Sequence, residues 1–436
     1  MTRMAPARAA LMLVGSLFPP LGAIAMAPLL AHELGVEGRG ELAAVTAPTL
    51  LAISIAAFGF PDAVTRHLAA GARLTRSTTW TVIGLQVAGG AAAVLAVVTV
   101  APMIVGRDRT DLVALVGFAA SSVLPTVFVA LLRARAAGRQ DWVRVSVERI
   151  VTGSTRIIAT SVAAVVGGLD LTAATAIVAF SPVLGGLVYC FGGSGRGSRN
   201  TGRSPAVAPV DFIAFSGKSW LGSVAGVLLL RLDLLLVLPL SDATQLGLYA
   251  VAVNLSEIPL IMTNAIREIM LAEDAGSPDA ARIARVARSA TVISAAVALP
   301  MVATAPIWLA AVFGQGFEPV LPVLLLAVGG SVGGVAGSIA GSALTARGRP
   351  ELRSIGIAVG CVVNLAALVV LVPSLGAIGA ALSAVAGSVC SSAFSVRGAA
   401  RLTGCRIREF HAVSLADVRH VVSLATRSVH DLTGRA

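Results

Sequence analysis

Aromatic residues make up 4% of this 436-residue chain, charged residues 13%, and Lys218 is its single lysine. A chain so poor in charge, with 56% hydrophobic residues and a mean hydropathy of +0.88, carries more apolar surface than a soluble domain needs and reads as a polytopic membrane protein. The four cysteines, Cys190, Cys361, Cys390 and Cys405, have no metal or redox spacing; they read as small packing residues, with no disulfide expected. The five histidines, His32, His67, His411, His420 and His430, place no ligand-spaced pair inside an apolar run, so no metal site is expected. No glycine-rich loop leads into a lysine, which excludes an ATP motor of that type, and no cofactor is called for. Enzymes that build lipid-linked glycans usually carry a large outer loop. Here every loop on that side is short and no nucleophile, acid or ligand set converges, so the chain does not read as an enzyme. The series Glu33, Glu37, Glu41 mimics an acidic catalytic loop but is better explained as a solvated turn that sets orientation. The net charge of +11 falls mostly in short loops between apolar runs, where membrane orientation accounts for it and nucleic acid need not be invoked.

What is abundant is glycine, 45 residues of it, together with alanine: small residues that let membrane helices approach closely. With about 20 residues per span, the apolar runs predict twelve helices, near 9–31, 43–61, 79–105, 111–132, 148–168, 171–191, 219–239, 246–268, 287–312, 319–344, 354–373 and 376–398. The first is too long for a signal-peptide core and is read as a retained span, bent at Pro19 and Pro20. The segment 192–218, rich in Gly, Ser and Arg, reads as a cytoplasmic linker between two six-helix lobes, 1–191 and 219–403. Arginines such as Arg66, Arg73, Arg76, Arg133, Arg135, Arg139, Arg144, Arg196, Arg199, Arg203, Arg282, Arg285, Arg288, Arg347, Arg349 and Arg353 fall on one side of this topology. The other side holds Arg39, Arg107 and Arg109 beside several acids. By the positive-inside rule both termini are cytoplasmic. Residues 404–436 carry Leu415, Val418, Val421, Val422, Ala425, Val429 and Leu432 at helical spacing, as an amphipathic tail on the inner membrane surface would; packing against the cytoplasmic loops is the plainer alternative.

Charges inside apolar runs single out one region. Arg231 and Asp233 interrupt the seventh run, and Asn254 and Glu257 the eighth. A charge near the bilayer centre costs at least about 2.5–3.5 kcal/mol, so such residues face a partner or a wet cavity. Arg231 and Asp233, two apart on a helix, point to nearly opposite sides. Arg231 and Glu257 lie about 12 and 15 Å from the intervening link at about 1.5 Å per residue. They therefore sit at similar depth, and serve either as a structural ion pair or as part of a transport site.

The halves echo each other at offsets near 200–210 residues. Gly40-Glu41-Leu42-Ala43 has its counterpart in Gly247-Leu248-Tyr249-Ala250, Ala63-Val64-Thr65-Arg66 in Ala265-Ile266-Arg267, and Gly138-Arg139-Gln140 in Gly348-Arg349-Pro350. Both halves start on the same side, which makes this a parallel repeat, and such repeats place a substrate route between them.

These segments, with Leu34-Gly35-Val36-Glu37-Gly38-Arg39-Gly40, Gly59-Phe60-Pro61-Asp62-Ala63-Val64, Arg231-Leu232-Asp233, Phe313-Gly314-Gln315-Gly316-Phe317 and Gly376-Ala377-Ile378-Gly379-Ala380-Ala381, resemble the oligosaccharide flippases. These form the polysaccharide-transport branch of the multidrug/oligosaccharidyl-lipid/polysaccharide (MOP) exporter superfamily. The resemblance covers nearly the whole chain. It implies an all-α polytopic fold of two parallel-repeat six-helix lobes forming a V, alternating access, and a polyprenyl-diphosphate-linked glycan as cargo in a bacterial plasma (inner) membrane. Glycosyltransferases and a polymerase of the same pathway would be its functional neighbours. Arginine's planar fork suits a diphosphate. The candidate substrate contacts are therefore Arg231 within the seventh span, Arg66, Arg156 and Arg267 nearer the cytoplasmic mouth, and Asn254; Asp233 and Glu257 are candidates for coupling or helix pairing. The alternatives are a multidrug or small-metabolite antiporter of the same superfamily, which would favour an acidic or aromatic cavity, and a membrane glycan-assembly protein that does not itself transport. The second-to-third loop lacks the Gly-x-x-x-Asp-Arg pattern of a major-facilitator carrier.

Overall fold

The computed structural model describes residues 6–191, 206–261, 263–264, 266–267, 279–413, 417 and 419. Among them the chain is all-α apart from one two-stranded parallel ladder, in which β1 (Arg73–Leu74) pairs with β2 (Ala206–Val207). It divides into two compact units, Met1–Gly247 and Leu248–Ala436.

The first unit opens with α1 (Pro6–Ala56), which carries the first expected span and the second as far as Ala56. The turn expected over 32–42 is helical, and the path is broken only at Gly35 (φ 66°, ψ −173°), where the absence of a Cβ makes the left-handed region accessible. Pro19 and Pro20, where the sequence predicts a bend, lie inside this helix. After a turn at residues 57–59 comes α2 (Phe60–Ala69), bent 45° from the preceding segment. Then follow α3 (Arg76–Val105), α4 (Thr110–Ala120) and α5 (Val123–Gly138), these last two forming one span broken at Ser121 and Ser122. Next are α6 (Trp142–Val165) and α7 (Leu171–Gly186), started by the Asp141 and Asp170 side chains, which accept from the Arg144 and Ala173 amides. The expected linker 192–218 is already helical from Pro209: α8 runs Pro209–Leu240, with proline at its first position and Asp211 in its first turn, both helix-start signals. Arg196, Arg199 and Arg203 lie outside the described residues.

After a short link comes α9 (Ala243–Ser256), whose first residues belong to the first unit. Where α1 runs beside it, a Cβ on Gly40 would strike the Ala243 carbonyl, and one on Gly247 would strike the Val36 carbonyl. The two segments meet backbone to backbone, a contact only glycine allows.

In the second unit α10 (Ala280–Phe313), α11 (Val320–Ala346) and α12 (Pro350–Thr403) surround a dry core of Ile283, Ala287, Ile339, Leu344 and Val396. The last two expected spans are one helix, α12, interrupted at Gly376 (φ 54°, ψ −127°). Of the expected amphipathic tail, α13 (Arg408–His411) buries Phe410 completely in that core, and Arg288 holds Asp417 at 2.9 Å. Leu415, Val418, Val421, Val422, Ala425, Val429 and Leu432 lie outside the described residues. Seven described helical segments, α4 with α5 counted as one, are long and apolar enough to cross a membrane, eight with the bent pair, and α12 alone contains two whole expected runs.

Candidate functional site

The second and eighth spans are both broken, at matching points of the repeat. In the first unit the helix stops at Ala56, passes through Phe58 (φ 47°) and Gly59 (φ 68°), and resumes before Pro61. In the second, residues 257–259 form a turn between α9 and a helical segment that resumes at Leu260, with Pro259 at the break. Glu257, expected well inside a continuous helix, sits in that turn. Interrupted helices at corresponding places in two repeats are the strongest backbone signal of a transport site, because irregular backbone is tolerated at membrane depth only inside protein or beside a wet cavity.

The first break is held by side chains from two other helices. The Trp220 indole of α8 donates to the Ile55 carbonyl at 2.8 Å, and the buried Gln86 amide of α3 donates to the Ala56 carbonyl. Phe58 stacks on Trp220 with ring centroids 5.7 Å apart. A Cβ on Gly59 would collide with the Ser216 carbonyl of α8, so this glycine allows both the left-handed turn and the close crossing. Further along α2, the Arg66 guanidinium lies 4.2 Å above the Phe215 ring, a cation–π contact, and His67 packs between Phe212 and Phe215.

Arg231 is half-buried on α8 and Asp233 is buried, its carboxylate accepting from the Leu234 amide at 2.9 Å. Phe215, beneath Arg66, precedes Arg231 by 16 positions on the same helix, so these two cations stand roughly 24 Å apart along it. One headgroup cannot touch both. In the second unit Asn254 and Glu257 are half-buried; Arg267 donates to the Ser338 hydroxyl of α11 at 3.4 Å, and the Arg353 side chain runs over Gly341 one turn further on. Arg267 and Arg353 thus converge on one face of α11.

Arg156 belongs to a polar stripe inside the first unit. Glu148, Thr152 and Arg156 fall at i, i+4 and i+8 of α6, on one face of the helix. Glu148, fully buried, receives both prongs of Arg133 from α5 and a Thr152 hydroxyl at 3.3 Å. Arg156 donates to the Ser181 hydroxyl at 3.2 Å and the Val178 carbonyl at 3.0 Å, both on α7. Sequence reading missed the Arg133–Glu148 pair, although a glutamate opening an apolar span was a signal that a cation had to be near. It also counted Arg39 as a loop charge. Arg39 is 7% exposed, and its Nε has no hydrogen-bond partner among the described residues.

At the end of the molecule bearing Glu33, Glu37 and Glu41, these acids and Asp170 border an open cavity of about 670 Å³. Arg109 pairs with Glu41, and that hydrogen bond holds the Arg109 pKa above its ordinary value. No grouping of three or more His, Cys, Asp or Glu suited to a metal ion occurs among the described residues.

The family model described as "Polysaccharide biosynthesis protein" matches residues 8–269. No curated protein matches the chain significantly. Among solved structures, the fold is similar to the lipid II flippase MurJ in an inward closed conformation, with a TM-score of 0.71 and 10% identity over 97% of this chain and 93% of that one. It is also similar to an inward-facing multidrug resistance MATE family transporter of the MOP superfamily, with a TM-score of 0.61 and 15% identity over 92% and 99%. A third, with a TM-score of 0.55 and 14% identity over 91% and 95%, is a MOP superfamily transporter from Pyrococcus furiosus, whose binding pocket is described as having reversed polarity.

Proposed function

Because the chain belongs to the polysaccharide biosynthesis protein family and has the fold of MOP superfamily transporters, we propose that it flips a polyprenyl-diphosphate-linked oligosaccharide or polysaccharide repeat unit from the inner to the outer leaflet of a bacterial plasma membrane. The transport is by alternating access, with both termini cytoplasmic and no chemical change to the cargo. The observation that carries transport, as against a scaffold or an enzyme, is the pair of broken spans at residues 57–59 and 257–259.

The family match supports a glycan lipid as cargo, and the charge supports it independently. The candidate cations for such a headgroup are arginines: Arg66, Arg156 and Arg231 in the first unit, Arg267 and Arg353 in the second. A guanidinium fork grips phosphate oxygens in two-point contact. Arg66 and Arg267 take the headgroup on entry at the arginine-rich end. Arg231 receives it deeper, since a ligand moving past α8 meets the two levels in succession and not together. Asn254 bonds the glycan, and Asp233 and Glu257 either couple an ion or fix their helices. Purified protein in liposomes should transfer a polyprenyl-diphosphate glycan between leaflets, and a strain lacking the protein should regain surface polysaccharide on complementation. Efflux of cationic dyes driven by a proton or sodium gradient, with no glycan-lipid transfer, would instead establish the multidrug reading that the MATE-like fold also fits.

A further inference from the structure

One cavity in the first unit takes no part in the transport scheme above. It encloses about 830 Å³ at the arginine-rich end, between α2, β1, α3 and α5, within the roughly 300–1,000 Å³ typical of small-molecule sites. Its wall is apolar, with Leu68, Val82, Phe128 and Leu131, while Arg73, Arg135 and Arg139 stand at its rim. All three arginines are exposed, and none has a carboxylate partner among the described residues. Their neighbours differ: Arg133 is bound to Glu148, Arg144 to Asp141 at 3.3 Å, and Arg66 lies on Phe215.

The rim is preorganised. Arg73 lies in β1, fixed in extended backbone by its pairing with Ala206, and the Thr78 hydroxyl ties the start of α3 to the Val207 carbonyl at 2.8 Å. Arg139 follows the last residue of α5; its pKa is lowered by burial and by the like charges of Arg135 and Arg144, so an anion there would relieve repulsion. The depth is marked as well. Trp80, near the start of α3 beside the cavity-lining Thr79, is 62% exposed, as an aromatic anchor at the headgroup level would be.

We propose that this cavity is a binding site for an anionic phospholipid of the surrounding bilayer, the phosphate held by Arg73, Arg135 and Arg139 and one acyl chain laid against Leu68, Val82, Phe128 and Leu131. Basic pockets between membrane helices recognise acidic headgroups in this way. A free anion would leave the apolar wall empty, and a zwitterionic lipid would leave the rim charge uncompensated. The inference rests on the membrane placement of the helices and not on the nature of the cargo.

Native mass spectrometry of the detergent-purified protein, titrated with phosphatidylglycerol and with phosphatidylcholine of matched chains, tests it without measuring transport. Phosphatidylglycerol should be retained in preference by roughly 30- to 150-fold, as two or three arginines near a membrane surface imply. The double substitution Arg135→Gln with Arg139→Gln should abolish the preference. Arg285→Gln with Arg401→Gln, which removes the same charge from exposed sites elsewhere, should leave it intact. Equal retention of the two lipids by the unaltered protein would overturn the proposal whether or not the variants fold. Displacement of phosphatidylglycerol by inorganic phosphate at similar concentration would reduce the site to an anion site and overturn it too. Retention of a polyprenyl phosphate but not of phosphatidylglycerol would place the cavity on the cargo's route instead.

Discussion

Arg133 and Glu148 meet in a two-pronged ion pair, Nε to Oε2 and Nη2 to Oε1, each at 2.8 Å, with the carboxylate withdrawn from solvent and the guanidinium about one-third exposed. A buried pair of this kind adds little net stability relative to apolar residues, yet losing one member strands a charge. Arg133→Ala should destabilise the protein by about 3 kcal/mol, the low end for a buried pair because Arg133 retains some water. Joint replacement of Arg133 and Glu148 by methionine should recover most of that loss. Thermal denaturation of purified protein measures both. If the double variant melts as low as the single, the pair is not what holds α5 to α6.

The backbone contact between Gly40 and Gly247 gives a second expectation. An alanine at either position would press its methyl into a carbonyl of the opposing segment, and backbone cannot step aside as a side chain can. Overpacking of this kind costs about 1–3 kcal/mol or more. Gly40→Ala and Gly247→Ala should therefore each reduce the folded protein recovered from membranes. Gly84→Ala, where a Cβ would meet nothing within 4 Å, should be neutral or slightly stabilising. Equal yields of all three variants would show that the crossing has slack.

Much of this architecture was legible in hydropathy alone. The apolar runs of α3, α10 and α11 reappear as helices near the expected bounds, because a bilayer leaves an apolar segment few alternatives. What was not legible was partnership. Glu148 opens the fifth expected span, 148–168, and its cation lies on the preceding helix, at a distance along the chain that no helical period encodes. Arg39 reads as a loop charge until α1 is seen to continue through it. The break at Glu257 was signalled by Pro259, but a proline also sits quietly inside α3, α7 and α8, so residue type alone does not distinguish a break from a tolerated kink.

Support of the first break by Trp220 and Gln86 is open to direct test. Trp220→Phe keeps the stacking on Phe58 but removes the only donor from the ring, leaving the Ile55 carbonyl without it. Gln86→Leu does the same to the Ala56 carbonyl. The loss at Ile55, whose carbonyl keeps the Phe58 amide as a donor, should cost about 0.5–1.5 kcal/mol in stability, and that at Ala56 about 1–3 kcal/mol. If the break is a working part of the transport cycle, glycan export should fall further than the amount of folded protein does. Export per folded molecule, from surface polysaccharide normalised to membrane-inserted protein, is the deciding ratio. A ratio unchanged in both variants would make the break a structural corner only.

The sharpest expectation concerns Arg231. It lies within an apolar stretch of α8, where a cation is expensive, and it stands a full two dozen ångströms or so along the helix from the level of Arg66. If it holds the diphosphate, Arg231→Ala should abolish export while the protein remains in the membrane. Arg231→Lys should restore only part of it, because an ammonium keeps the charge but not the planar fork. If Arg231 instead serves Glu257 as a counter-ion, the reversals Arg231→Glu and Glu257→Arg should each fail alone and succeed together. The two roles therefore separate in one experiment. Rescue by the double reversal makes the residue structural, since a carboxylate at position 231 would repel the headgroup. No rescue, with lysine partly active, leaves the guanidinium at work on the cargo. Undiminished surface polysaccharide in the Arg231→Ala strain would remove the residue from either role.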